Sequence, residues 1–439
     1  MAWKRCPEAE MIYSSIPIRY QEKIVMKSHA HHVANTGSRS TSTLAVAAVC
    51  LMFLLSSAVP ALADHVHHLW YNNAEWQDQD LTALTAGGIA YGTSLTAFRT
   101  AGNNQLHVYY VGTDYHVHQL YYNNSYWSDE DLTAFVGGPT ANPFGIAGFA
   151  IGNLQYVFYV EYTDVGCCTN GHVHELNYNN AGWSDLDLTA SAVGGVGAGF
   201  YTPGLVAFST PGNNQFHVYF LDDVSGDLNQ LYFNGTEWSD QDLSSFTGAH
   251  CYIGWGGPPY YTGYIAGFAV GNEQHLFCGG ATSPEDEEHL MHIYYNNSTW
   301  TYEDVTAKVG GTPVGFSSMV AGFRYPGTTQ MEVYAVTADT HVHQYTFKKA
   351  KWTDMDMTVA MGAPTYSGNG GATAFPTAGN NQFHIYYQPS SEVYQLYFNG
   401  TSWSAEDLTE GAGTADYSEA PMAGFAVGNL QHVFYLGTE

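Results

Sequence analysis

Residues 116–133 read HVHQLYYNNSYWSDEDLT, and nearly the same phrase stands at 172–189, HVHELNYNNAGWSDLDLT, and at 65–82, HVHHLWYNNAEWQDQDLT. A Trp followed four residues later by Asp and then an apolar residue anchors the phrase. The anchors are Trp76, Trp127, Trp183, Trp238, Trp300, Trp352 and Trp403, spaced 51, 56, 55, 62, 52 and 51 residues apart. Seven copies at about this period indicate a repeat architecture, and the period suits a four-stranded propeller blade.

A second phrase precedes each copy: LTAFRTAGNNQLHVYY at 95–110, IAGFAIGNLQYVFYV at 146–160, LVAFSTPGNNQFHVYF at 205–220, and four more from Ile265, Met319, Ala372 and Pro421. Each holds two short apolar strands around a Gly/Asn turn. One repeat therefore reads as four strands rich in Tyr, Phe, Val and Thr, the residues that suit a pleated surface. From His65 the chain starts with the second half of a repeat, and it ends on the first half of one. The expectation is an all-β, seven-bladed β-propeller over 64–439, closed by N- and C-terminal strands in one shared blade, which leaves no open sheet edge. The longer spacings read as loop insertions at 161–170, 247–263 and 279–288.

The first 63 residues differ. The apolar run LAVAAVCLMFLL at 44–55 follows Arg39, and Ala61-Leu62-Ala63 precedes Asp64. That is the layout of a secretory signal peptide cleaved after Ala63, with Met26 as a second candidate start, and it predicts a secreted (extracellular or periplasmic) protein with no membrane span after cleavage. Net charge is −28, and six of the twelve basic residues fall in this leader. So acidic a surface repels nucleic-acid backbones and excludes them as partners. Outside the leader, Cys251 and Cys278 fall in one repeat and can bridge, whereas Cys167-Cys168 is a vicinal pair in an insertion, and no CxxC spacing exists.

Polar residues recur inside the aromatic strands. One second-strand position holds His107, Tyr156, His217, His275, Glu332, His384 and His432. The third strand, eight residues before each Trp, holds His68, Gln119, Glu175, Gln230, His292, Gln344 and Gln395. Antiparallel pairing can set His107 beside Gln119, His217 beside Gln230, His275 beside His292, His384 beside Gln395, and His432 beside His68. Two readings stand. Neutral His and Gln each donate and accept, as sugar hydroxyls require; or the pairs tie strands together. Tyr71, Tyr122, Tyr178, Phe233, Tyr295, Phe347 and Phe398 are candidates for lining clefts between blades.

The pairing of "HVYY" with "HELNYNN…W" resembles the fucose-specific lectin propellers of fungi and bacteria. There a strand of type "IRVYY" supplies an Arg, the next strand "IRELYW" a Glu, and an aromatic from a neighbouring blade stacks on the sugar. The resemblance implies a propeller that takes glycans or glycoconjugates at several inter-blade sites. Here the Arg position is mostly His, and Glu survives only at Glu175, opposite Tyr156.

Other motifs receive blander expectations. The repeated Asp pairs (Asp78/Asp80, Asp129/Asp131, Asp185/Asp187, Asp240/Asp242, Asp354/Asp356) read as charges that discourage edge pairing, and the Trp as packing. His65/His67, His116/His118, His172/His174 and His341/His343 each point to one face of a strand. With no local third ligand in sequence, no metal is expected and the row reads as hydrogen-bonded structure. GxSxG, HExxH and phosphate-cradling loops are absent from the sequence, so neither an enzyme nor a cofactor is expected. The leading reading is a secreted lectin-like propeller; its alternative is a non-catalytic scaffold for cell-envelope proteins.

Overall fold

In the quoted stretch, Val117–Tyr122 and Trp127–Asp131 form an antiparallel hairpin, and Leu132–Val136 forms one helical turn. The computed structural model describes residues 64–438 other than 163–170, 199–203, 223–226, 252–263, 282–287, 316–318, 367–370, 391 and 414–421. The leader at 1–63, Cys167-Cys168 and much of the three insertions lie outside these.

The hairpin occupies the outer half of a four-stranded antiparallel unit at 90–131, here repeat 1. Repeats 2 to 6 cover 141–187, 206–242, 265–304, 320–356 and 372–407, each a separate four-stranded sheet. A further unit is split between the chain ends. Ala423–Val427 pairs with Leu430–Thr438, which pairs with Asp64–Tyr71 from Asp64↔Thr438 to Tyr71↔Gln431, and Asp64–Tyr71 pairs with Trp76–Asp80. A single pair, Asp64↔Ala90, joins this split repeat to repeat 1 as one eight-stranded sheet.

The inner strand of each repeat lies against the inner strand of the next, and that of the split repeat lies against that of repeat 1. A cavity of about 290 Å³ is lined by residues from all of these inner segments, among them Leu95, Ile146, Ile265, Val320 and Met422. Cys251 and Cys278 form a disulfide.

The sequence reading of "WSDEDLT" as strand alone needs correction. The second Asp of each pair ends the strand and caps a short helix: Asp80, Asp131, Asp187, Asp242, Asp304, Asp356 and Asp407 all accept a backbone N–H from the first helical turn. The next residue but one ties the helix back. The hydroxyls of Thr82, Thr133, Thr189, Ser244, Thr306, Thr358 and Thr409 accept the third-strand N–H groups of Val66, Val117, Val173, Leu228, Leu290, Val342 and Val393 at 2.7–2.9 Å. The second Asp of each pair is thus a helix cap, while Asp78, Asp185 and Asp354 bond third-strand His67, His174 and His343.

Packing between neighbouring repeats follows one rule. Each anchor Trp sets its indole edge-on to the second-strand aromatic of the preceding repeat: Trp183 on Tyr109, Trp238 on Phe158, Trp300 on Tyr219, Trp352 on Phe277 and Trp403 on Tyr334, at centroid distances of 6.0–6.4 Å. Trp76 meets Tyr386 and Trp127 meets Phe434 in the same way, at 6.0 and 6.2 Å. An edge-to-face pair contributes about 0.5–1.5 kcal/mol beyond its buried area.

Deleting residues 421–439 removes both partners that follow Asp64–Tyr71 in its sheet and strips Phe434 from Trp127. The expected outcome is loss of a single cooperative melting transition, or aggregation, read by calorimetry and size-exclusion chromatography. A truncated chain that stays monomeric and melts unchanged would refute the role given to the split repeat.

Candidate functional site

All five polar pairs are brought together. Gln119 Nε2 lies 2.9 Å from His107 Nδ1, Gln230 Nε2 2.7 Å from His217 Nδ1, and Gln395 Nε2 2.8 Å from His384 Nδ1. His275 Nδ1 and His292 Nε2 are 3.0 Å apart, and His68 Nε2 and His432 Nδ1 2.9 Å. The register differs from side-by-side placement. The residue directly opposite each third-strand partner is an aromatic (Tyr109, Tyr219, Phe277, Tyr386, Phe434), and the histidine reaches it diagonally from two residues earlier.

The three His–Gln pairs are wired in one direction. In repeat 1, the Gln119 amide donates to His107 Nδ1, which leaves the proton on Nε2 to donate to Thr100 Oγ1 at 3.1 Å, and that hydroxyl donates to Asn103. Thr210–His217 and Thr377–His384 repeat the contact at 3.0 and 3.2 Å, each Thr donating to Asn213 or Asn380. The phrase "T-x-G-N-N-Q-x-H" is therefore a hydrogen-bond chain. Burial holds these imidazoles neutral, with pKa values pushed down to about 4 for His107 and His384 and about 3 for His217. The six residues are all buried, and their ring nitrogens and amide Nε2 groups are bonded within the protein, as the strand-tie reading of the pairs expects.

The same pairs mark the junctions between repeats. Where the second-strand aromatic is Tyr, the third strand supplies Gln: Tyr109/Gln119, Tyr219/Gln230, Tyr334/Gln344 and Tyr386/Gln395. Where it is Phe, the partner is His or Glu: Phe158/Glu175, Phe277/His292 and Phe434/His68. Tyr109, Tyr219 and Tyr386 each donate to a buried glutamine of the next repeat: Gln155, Gln274 and Gln431 respectively. The same glutamines accept from Gln119, Gln230 and Gln395 at 2.8–3.0 Å. Across the Phe junctions the receiving residues are Phe216, Met331 and Leu106; the first two share apolar clusters with Phe158 and Phe277, and Leu106 lines the cleft beside the split repeat. Glu175, at one such junction, accepts from Asn177 at 3.2 Å, and burial raises its pKa to about 7.

Two clefts open between repeats. One, of about 350 Å³, lies between repeats 3 and 4; His217, Gln230 and Gln274 meet it from within, and Tyr232, Tyr295, Trp300 and Gln241 line it further out. The larger, about 620 Å³, lies between the split repeat and repeat 1. His68 and His432 form its floor; Trp70, Tyr122, Tyr126 and Trp127 give aromatic walls; Asn72, Gln79 and Ser125 add polar groups. His68 is stacked at 4.8 Å on Trp70 and at 4.6 Å on Phe434. Burial, then the charge of His432, keeps His68 well below the ordinary imidazole pKa, and burial takes His432 down to about 4. Tyr126 is 63% exposed at the rim.

Of the candidate residues, His217, Gln230, His68 and His432 therefore reach a cleft, as do the expected aromatics Tyr122 and Tyr295. His107, Gln119, His275, His292, His384, Gln395 and Glu175 line neither. Trp70 and Tyr126 were not singled out from the sequence. Both carry a signal there: Trp70 stands where Tyr121, Tyr232, Tyr294 and Tyr397 stand elsewhere, and Tyr126 puts a large ring in a turn otherwise built from small or polar residues.

No protein-family model matches the chain, and no curated protein does. Among solved structures, it is similar to the BP39L lectin of Burkholderia pseudomallei, at 15% identity over 79% of this chain and 93% of that one, with a TM-score of 0.55. Weaker likenesses are to the SapL1 lectin in complex with α-methyl fucoside (14% identity, 72% and 96% covered, TM-score 0.46) and to the six-bladed fucose-recognising lectin of Aleuria aurantia (13%, 66% and 86%, TM-score 0.44). At such identity the likeness speaks to the fold: repeated four-stranded sheets in a β-propeller.

Two outcomes follow for the buried pairs. Gln119→Leu leaves His107, Tyr109 and Gln155 without a shared donor and is expected to lower stability by about 1–3 kcal/mol in denaturant titration; an unchanged midpoint would contradict the tie. The depressed histidines are neutral in the folded state, while the unfolded chain takes up protons below about pH 6.5. Their contribution is full above pH 6.5 and is lost as pH falls toward about 4. Glu175, raised to about 7, acts in the opposite direction over part of that range, so the direct readout is ¹⁵N NMR of the rings: His107, His217 and His384 stay neutral at pH 5, and a protonated ring at that pH would contradict the wiring.

Proposed function

We propose that the chain is an exported, non-catalytic, lectin-like propeller of seven blades, in which the split repeat is the seventh blade and closes the ring, and that it binds carbohydrate in clefts between blades. The observation that carries this reading is the cleft between the split repeat and repeat 1. Its Trp and Tyr rings suit the apolar face of a sugar ring. The histidine pair at its floor, with Asn72 and Gln79, offers neutral donors and acceptors suited to hydroxyls. The cleft between repeats 3 and 4 has the same general make-up on a smaller scale.

The multivalent expectation narrows accordingly. At the Tyr–Gln junctions between repeats 1 and 2, 3 and 4, and 6 and the split repeat, the polar groups are used in ties between blades, as the strand-tie reading of the pairs expects. The larger cleft is the primary glycan site in this proposal. Its histidines replace the Arg and Glu of the fucose-specific pattern, so it recognises hydroxyls without a fixed charge.

The test is a glycan array probed with the full chain and with Tyr126→Ala, which removes an exposed ring and leaves the packing of Trp127 on Phe434 in place. The expected result is binding to at least one glycan class, weakened roughly 2- to 10-fold in the variant, the range of one aromatic contact, with unchanged melting. No glycan bound by the parent chain, together with retained binding of envelope proteins, would replace the lectin reading with the scaffold.

A further inference from the structure

The HxH row, read above as structure without a metal, has candidate third ligands in the fold: Asp339 and Asp114, each two residues before its pair, and Glu161 on a neighbouring strand. Among the described residues, three groups place one ligand atom from each member within 4.8 Å of the others: Asp339, His341 and His343; Glu161, His172 and His174; and Asp114, His118 and Asp131. All three stand where the third strand begins, next to the Asp that caps the short helix. This is away from the polar pairs of the clefts.

The group in repeat 5 is the most complete. His343 Nδ1 lies 2.9 Å from Asp354 Oδ1. If it donates its proton there, its Nε2 lone pair points the other way. That Nε2 is buried without a hydrogen-bond partner, on a residue 5% exposed, and lies 4.0 Å from Asp356 Oδ2. His341 Nδ1 lies 2.7 Å from the same Asp356 oxygen and 3.8 Å from Asp339 Oδ2. Two imidazoles and two carboxylates thus converge, and a lone pair facing carboxylates requires a positive centre between them. Asp339 is about half exposed, which leaves a path from solvent.

We propose that Asp339, His341 and His343, with Asp356 as a fourth donor, form a binding site for a divalent transition-metal ion of the Zn²⁺ class. Mixed imidazole and carboxylate donors suit such an ion. Asp354 supplies the outer carboxylate that orients a ligating histidine. The Asp-x-His-Val-His spacing of repeat 5 recurs in repeat 1, where His118 Nε2 approaches Asp114 at 3.2 Å and His116 Nδ1 meets Asp131 at 2.7 Å. In repeat 2 the carboxylate comes instead from Glu161 on the neighbouring strand, whose backbone N–H bonds the His172 carbonyl at 2.8 Å. The inference is independent of glycan binding.

The competing occupant is a proton, since the surrounding carboxylates raise the pKa of His343 and of His118. Calorimetric titration of the full chain with Zn²⁺ alone, beside His343→Gln and Asp339→Asn, separates the two. Background binding at His29, His31 and His32 of the leader is common to all three proteins and cancels in the comparison. The expected result is one fewer bound ion in each variant, and a Zn²⁺-dependent rise in melting temperature in the parent. Asp339→Asn changes charge at an accessible position and keeps the His–Asp bonds, so its loss cannot be blamed on misfolding. Equal stoichiometry in all three proteins, or a His343 ring whose ¹⁵N resonances do not move when Zn²⁺ is added at neutral pH, would overturn the site.

Discussion

The structure depends on an indole edge. Each anchor Trp, carried on the outermost strand of its repeat, reaches across to the face of a Tyr or Phe in the second strand of the repeat before it. A four-stranded sheet with two apolar faces cannot bury both alone, so each repeat needs its neighbour. The Trp contact fixes how that neighbour sits. Because Trp127 meets Phe434, the contact also joins the first complete repeat to the end of the chain.

Around that contact the chain uses two junction chemistries. A Tyr under the indole brings a glutamine from its own sheet, and at three junctions a second glutamine from the next sheet, so the buried hydroxyl is satisfied across the interface. A Phe there brings apolar neighbours from the next sheet, and histidine or glutamate from its own. The Tyr–Gln tie spans the interface at repeats 1/2, 3/4 and 6/split. At the junction of the split repeat with repeat 1 the ring under the indole is Phe434, His68 and His432 bond to each other, and the larger of the two clefts opens above them.

Much of this was legible in sequence, and the parts that were not have physical reasons. The Trp spacing and the doubled phrase gave the four-strand period, because strands of five to eight residues with turns at fixed offsets leave a regular trace. Positive φ at Asn73, Asn124, Asn180 and Asn297 accounts for the repeated Asn-Asn turns, and Gly235 and Gly400 stand at the same place in Asn-Gly copies. The one-turn helices escaped because four or five residues show no 3.6-residue period; only Asp131 before them and Gly137 after them, a cap at each end, could have revealed them. Pairing of His107 with Gln119 was within reach of hairpin reasoning, but the diagonal register and the burial were not. The burial comes with contacts from another repeat, such as that of Gln119 with Gln155.

The central claim is that a sugar enters the cleft walled by Trp70 and Trp127. Indole ¹H–¹⁵N spectra test it directly, since each anchor Trp reports one junction between neighbouring repeats. During titration with a panel of monosaccharides that includes fucose, the account predicts that the Trp70 and Trp127 resonances move while those of Trp183, Trp352 and Trp403 stay in place. Indole signals that stay fixed with every sugar, or that shift only at Trp183, Trp352 or Trp403, would contradict it.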